Sequence, residues 1–209
     1  MPHLSRKPSR AERVNRARSD LAMGLPCALR HKNTTAILAP VETIDAHRFA
    51  ALRSVLGVPD VIISSRRARA VMTAAAGKDL GDEPVRIRPP ELADFEWYSR
   101  LASRSPLTSP IPLGPLHVLR DDDATLATAA VDILKSAELL PACALFTGSE
   151  AEAVSAEMGL QRVEPSDVAT QRAEVSKPHA VAAANLPLEA HDVSRLHVFR
   201  EGDGRIEHY

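Results

Sequence analysis

Residues 26–39 read PCALRHKNTTAILA, two short apolar runs on either side of the polar turn His31-Lys32-Asn33. The runs are expected to be two strands joined by that turn. What flanks them sets the fold class. Upstream, Ser9 can N-cap a helix through RAERVNRARSDLAMG, which carries Val14, Ala17 and Leu21 at helical spacing and Gly24 at its end. Downstream, Ile44–Leu56 reads as helix, DVIIS (60–64) as strand, Ser65–Ala76 as helix, and VRIR (85–88) as a strand stopped by Pro89-Pro90. ELADFEWYSRLA (91–102) reads as a helix with Leu92, Phe95 and Leu101 as candidate core residues. A further helix is expected over DDDATLATAAVDILKSAELL (121–140), with its acids where the macrodipole favours them, and PACALF (141–146) is a buried strand. Helical patches follow at Glu150–Met158 and Pro165–Glu174. Strands alternating with helices over the first 160 residues imply an α/β layer fold, or an α+β one.

The rest of the chain is organised around this domain. Residues 1–8 are expected to be a disordered tail and 9–174 the α/β domain. Ser105–Pro115, with Pro106, Pro110, Pro112 and Pro115, is too proline-rich for a regular element. Residues 175–194, VSKPHAVAAANLPLEAHDVS, hold few large apolar groups and read as a linker. The tail 195–209, RLHVFREGDGRIEHY, is expected to be a β-hairpin: Arg195–Arg200 alternates, Glu201–Gly204 supplies the turn, and Arg205–Tyr209 returns. A lone hairpin leaves open edges, so it reads as the first piece of a larger sheet.

Composition narrows the function classes. The chain has 209 residues, 44% hydrophobic and 25% charged, but only 3% aromatic, so Ala, Leu and Val must fill the core. A net charge of -1 argues against a whole-protein electrostatic device for nucleic acid. No apolar run approaches the roughly 20 residues of a membrane span, and no apolar stretch follows the basic N-terminus as a secretory signal requires. A cytoplasmic location is expected. Cys27 and Cys143 lie inside apolar runs and read as small buried hydrophobes, since neither has metal-ligand spacing.

Few residues suggest chemistry. Arg6, Lys7, Arg10, Arg13, Arg16 and Arg18 against Glu12 and Asp20 give a local balance of +4 that could touch phosphates. Without interleaved aromatics, a solvated helix face is the plainer reading. Asp121, Asp122 and Asp123 could hold a divalent cation, or simply cap a helix. SSRRARA (64–70) could hold an anion at a helix N-terminus, but it lacks the glycines of a phosphate loop. The histidines are scattered: His31 in a turn, His117 after the proline segment, His197 and His208 in the terminal hairpin. No nucleophile motif is present.

The order of segments nevertheless resembles a known family. ERVNRARSDLAMGLPCAL (12–29) is similar to the opening of 3,4-dihydroxy-2-butanone-4-phosphate synthases, and TAAVDILKSAELLPACAL (128–145) to their later helix–strand unit. LPLEAHDVSRLHVFREGDGRIEHY (186–209) resembles the start of GTP cyclohydrolase II. The combination resembles riboflavin-pathway fusions of the two. The resemblance implies a magnesium-holding acidic loop after the first strand, but here that stretch is Arg30–Leu38, without a carboxylate. The family's Gly-His-Thr-Glu falls on Thr125, Leu126, Ala127 and Thr128, and a further Glu falls near Thr147. An enediolate needs a base and a dication, and these positions supply neither.

The cyclohydrolase zinc cysteines would come after Tyr209, and no cysteine follows Cys143. The resemblance therefore implies a non-catalytic module with a folding, dimerisation or regulatory role, and the tail reads as the truncated start of a cyclohydrolase sheet. By family resemblance it implies a homodimer and a cyclohydrolase catalytic domain as a further partner. No catalytic, cofactor or metal residue is expected, neither zinc nor magnesium is expected as cofactor, and neither membrane nor nucleic acid is expected as partner. Two alternatives stay open. One is an enzyme of riboflavin biosynthesis: GTP cyclohydrolase II, were its C-terminal part present, or residual sugar-phosphate chemistry built on Asp121–Asp123 with His117. The other is a binding module using the basic helix.

Overall fold

The computed structural model describes residues 8–72, 80–103, 116–119, 123–175, 179–188, 191–200 and 207–208. It divides into two compact units, 1–168 and 169–209.

In the first unit, helix α1 (Arg10–Ala22) starts at a complete capping box. The Ser9 amide donates to Glu12 Oε2 at 2.6 Å while the Ser9 hydroxyl accepts from the Glu12 amide at 3.2 Å. Gly24 follows with φ +80°, and a side chain there would strike the Thr43 carbonyl, so the chain turns tightly into the sheet. Strands β1 (Cys27–His31) and β2 (Thr34–Pro40) form the expected antiparallel pair, Cys27 opposite Leu38 and His31 opposite Thr34, with Lys32 in the turn at φ +54°. The other elements are α2 (Ala46–Leu56), β3 (Asp60–Ile63), α3 (Ser65–Val71), β4 (Val85–Arg88), α4 (Phe95–Ala102), β5 (His117–Leu119), α5 (Thr125–Ser136), β6 (Ala142–Thr147), α6 (Ala151–Glu157), β7 (Arg162–Val163) and α7 (Pro165–Val175), the last running across the division between units. The strands make one sheet in the order β5-β4-β3-β6-β2-β1-β7, antiparallel except where β7 joins β1.

Alternation along the strands places apolar groups on both sheet faces, which is why the runs look uniformly hydrophobic. Ile37, Ala39, Val61, Ile63, Val85, Ile87, Ala144 and Phe146 meet α2 and α4 on one side. Cys27, Leu29, Ala36, Leu38, Ile62, Cys143 and Leu145 meet α1 and α5 on the other. The few aromatics are concentrated on the first side. Phe49 stacks against Phe95, Tyr98 and Phe146 with ring centroids 5.1, 4.9 and 5.9 Å apart, and the Tyr98 hydroxyl donates to the Pro59 carbonyl at 2.9 Å. Both cysteines are buried and free, and burial pushes the Cys27 thiol up to about 12 and raises that of Cys143 as well.

Three expectations need correction. Leu92 is not core: it is 93% exposed, because Asp94 caps Trp97 and α4 starts four residues later than the pattern suggested. The acidic start of the 121–140 segment is not helical at Asp123; α5 begins at Thr125, and Asp121 and Asp122 lie outside the described residues. The stretch read as a linker contains strand: in the second unit β8 (His179–Leu188) pairs antiparallel with β9 (His191–Arg200), and β10 (Glu207–His208) closes on β9 opposite Arg200 and Phe199. The alanines of β8 lack the branched bulk that marks a strand, yet extended backbone pairs regardless of side-chain size. The C-terminal hairpin is thus present within a three-stranded sheet. Residues 1–7, 104–115 and 201–206, which carry the expected tail, proline segment and turn, lie outside the described residues. Among the described residues no helix is long and apolar enough to cross a membrane.

Candidate functional site

One end of the large sheet gathers most of the polar chemistry, and strand periodicity divides it between two faces. Along β1, Cys27 and Leu29 point to the α5 side, so His31 does too while Arg30 points to the α6 side. Along β6, Cys143 and Leu145 place Thr147 on the α5 side. Along β2, Ile37 and Ala39 place Thr35 on the α6 side.

On the α5 face the hairpin tip reaches the start of α5. His31 Nε2 lies 3.1 Å and Lys32 Nζ 2.9 Å from Asp123 Oδ2, while Asp123 Oδ1 accepts from the Thr125 amide at 3.0 Å. Hydrogen bonding to Thr125, then to Lys32 and His31, holds the Asp123 carboxyl well below the usual carboxylate range. Thr147 Oγ1 accepts from Arg86 at 3.5 Å, and Arg86 is itself paired with the buried Asp60 through Nε at 2.8 Å and Nη2 at 2.7 Å. Leu126 packs against the core rather than facing the tip, and Thr128 is exposed.

On the α6 face a cleft of about 480 Å³ is lined by Arg30, Asn33, Thr34, Thr35, Gly148, Ser149 and Glu152. Glu152 Oε2 accepts from the Thr35 hydroxyl and Oε1 from Arg162 Nη2. The Thr35 hydroxyl, with help from Arg162 and Arg30, lowers the Glu152 pKa.

The structure deals with the remaining candidates directly. His117 sits on the edge strand β5 opposite Arg88, and no hydrogen bond joins it to Asp123, so the pair is not assembled. The arginines of α3 are drawn into the fold: Arg67 donates to the Leu101 and Arg100 carbonyls at the C-terminus of α4, and Arg69 to those of Leu80 and Gly81. In α1, Arg13 and Arg10 are 2.6 and 3.4 Å from Asp167, and Arg18 is buried. His197 lies on β9 beside Phe199, their ring centroids 6.2 Å apart.

A magnesium ion asks for several oxygen ligands. At this end of the sheet Asp60, Asp123 and Glu152 are held apart, each engaged by cations, hydroxyls or backbone amides. Among the described residues no group of three His, Cys, Asp or Glu side chains could hold a metal. The described residues at this end of the sheet do not fit the ion. Sequence reasoning missed the meeting of His31 and Lys32 with Asp123, which joins positions about ninety residues apart; it also missed the Thr35–Glu152–Arg162 cluster. The one usable signal was the cationic tip facing an acidic helix start.

No family model matches the sequence, and no curated protein matches it. Solved structures do resemble it. A 3,4-dihydroxy-2-butanone 4-phosphate synthase in cation-free form gives a TM-score of 0.54 at 10% identity, covering 78% of this chain and 98% of its own. The synthase of Candida albicans gives 0.53 at 15% identity, covering 75% and 95%. A two-domain synthase from A. baumannii gives 0.49 at 12% identity and covers 90% of this chain, which spans 66% of that protein's length. The two likenesses above 0.5 show that the chain has the fold of those two synthases, an α/β sheet layered between helices.

Proposed function

We propose that this chain is a catalytically silent, synthase-fold module of a riboflavin-pathway protein of the GTP cyclohydrolase II type, acting in folding, dimerisation or regulation. The observation that carries the reading is the hairpin tip, where His31 and Lys32 face Asp123. Where proton abstraction next to a carbonyl would need a free base and a dication, this tip presents Lys32 and the His31 imidazole, and the carboxylate they meet among the described residues, that of Asp123, is paired with Lys32. Thr147 and Leu126 provide neither a base nor an imidazole. The cyclohydrolase part of the reading is supported only by the likeness of residues 186–209 to the start of that enzyme, and the dimer only by the family resemblance. The test is a coupled assay of the purified protein with ribulose 5-phosphate and magnesium. No turnover above a heat-treated control is expected; sustained, enzyme-dependent formation of dihydroxybutanone phosphate would overturn the proposal.

A further inference from the structure

The α6-side cleft is separate from the tip contact described above, because adjacent residues of β1 face opposite ways. Its lining is chemically uneven. Glu152 has both carboxylate oxygens engaged, by Thr35 and by Arg162, so its charge is offset in place. Arg30 has no such partner: among the described residues its guanidinium makes no hydrogen bond or close ion pair, and it is felt by Glu152 only as a nearby charge. Arg162 pairs with Ala28 in the parallel register, so Arg30 stands two residues further along the same sheet face. That is one diagonal step, about 7–8 Å. The lining itself thus carries one guanidinium, Arg30, and one carboxylate, Glu152, whose charge is offset by Arg162 beside the cleft; the Thr34 and Ser149 hydroxyls and the Asn33 amide stand around its mouth, with Ser149 also within 3.4 Å of Glu150 Oε1. A guanidinium that is planar, permanently charged and uncommitted is suited to bidentate capture of a two-oxygen anion.

We propose that the cleft between the β1–β2 hairpin and the β6–α6 loop is a binding site for a small oxyanion, the carboxylate or phosphate group of a metabolite, with Arg30 as its principal ligand and Thr34, Ser149 and Asn33 as hydrogen-bonding neighbours. The Thr35–Glu152–Arg162 cluster forms the fixed wall of the site. It ties β2 to α6 through Glu152 and orients Arg162, and the anion itself is held at the Arg30 side. The site does not depend on the reading of the tip as catalytically silent.

The experiment is amide-resolved NMR titration of the full chain with inorganic phosphate, and separately with acetate, at constant ionic strength set by chloride. Saturable shifts at Arg30, Thr34 and Ser149 are expected, with a millimolar midpoint of about 4 kcal/mol affinity. Whichever of the two anions binds more tightly identifies the chemical class. Arg30→Ala should weaken binding about tenfold or more, and Arg30→Lys, which keeps the charge but loses the fork, should fall between. The dispersion of the remaining amides checks that each variant is folded. Absence of saturable shifts with both anions, or equal binding by Arg30→Ala, would overturn the proposal.

Discussion

Replacing Arg13 by alanine tests whether the basic N-terminal helix serves the fold rather than a ligand. Asp167, at the start of α7, is 2% exposed, and its carboxylate is held by Arg13 Nη2 at 2.6 Å and, more loosely, by the exposed Arg10 Nε at 3.4 Å. Arg13 also donates to the Pro8 carbonyl at 3.0 Å. Removing one partner of a buried pair typically costs about 3–5 kcal/mol, because the other charge stays buried without compensation. Here Arg13 is 33% exposed and Arg10 remains, so water and the second arginine soften the loss to roughly 2–3 kcal/mol. Asp167→Asn keeps the shape and one acceptor and removes the charge, so its cost should be smaller, about 1–2 kcal/mol. The double variant should cost less than the sum of the two, with a coupling of about 1 kcal/mol or more. Urea unfolding followed by far-UV circular dichroism supplies all four corners of the cycle. If Arg13→Ala lies within about 0.5 kcal/mol of the parent, in the range of an ordinary surface change, α1 does not use its arginines for packing.

Two further outcomes follow from the same structure. Because the Asp123 carboxyl titrates lower in the folded chain than in the unfolded one, its contribution to stability is present above the unfolded carboxylate pKa, about 3.9, and is lost as pH falls through the folded value. Asp123→Asn should therefore lower stability at neutral pH and flatten the acid limb below about pH 4; an unchanged limb in acid titrations of the two proteins would count against the tip contact. In the second unit no described side chain is fully buried, whereas β3 and β6 of the first lie wholly within the core apart from Thr147. Amides of β8 and β9 should exchange with deuterium well before those of Val61–Ile63 and Cys143–Leu145, and equal protection would refute this ordering.

The layer fold was legible because local signals and global packing agree. The capping box at Ser9 and Glu12 marks α1, and Val14, Ala17 and Leu21 fall on its buried face. The runs CAL, AIL and VII are apolar at every position because both faces of the sheet are covered, so they gave strands without giving alternation. Elements of two or three residues carry too little pattern to read: β5 and β7 exist because neighbouring strands offer them open edges. β8 was hidden for a different reason, since its exposed alanines cost nothing in either a loop or a strand. The site was less legible still. Spacing along the chain cannot show that His31 and Lys32 meet Asp123, or that Thr35 meets Glu152, because those contacts are created by strand order and helix crossing.

Strand geometry also explains how one hairpin end can serve two purposes. Residues 30 and 31 are consecutive, yet the two-residue period of β1 sends Arg30 to the α6 cleft and His31 to Asp123. A change at one position therefore need not disturb the other, provided that the register Arg30–Thr35 and His31–Thr34 is kept. The register is fixed from inside the sheet: a slip of one residue would turn Leu29 and Leu38 out of the α5-side core and drive Arg30 into it. Burial of those leucines, worth about 1.5–3 kcal/mol each, far exceeds what the exposed contacts at the tip contribute. The polar residues of the turn are thus positioned by the core without being needed to hold it. That is the condition under which a tip can trade one chemistry for another, here cations where the synthase resemblance implies acids, while the sheet beneath it stays the same.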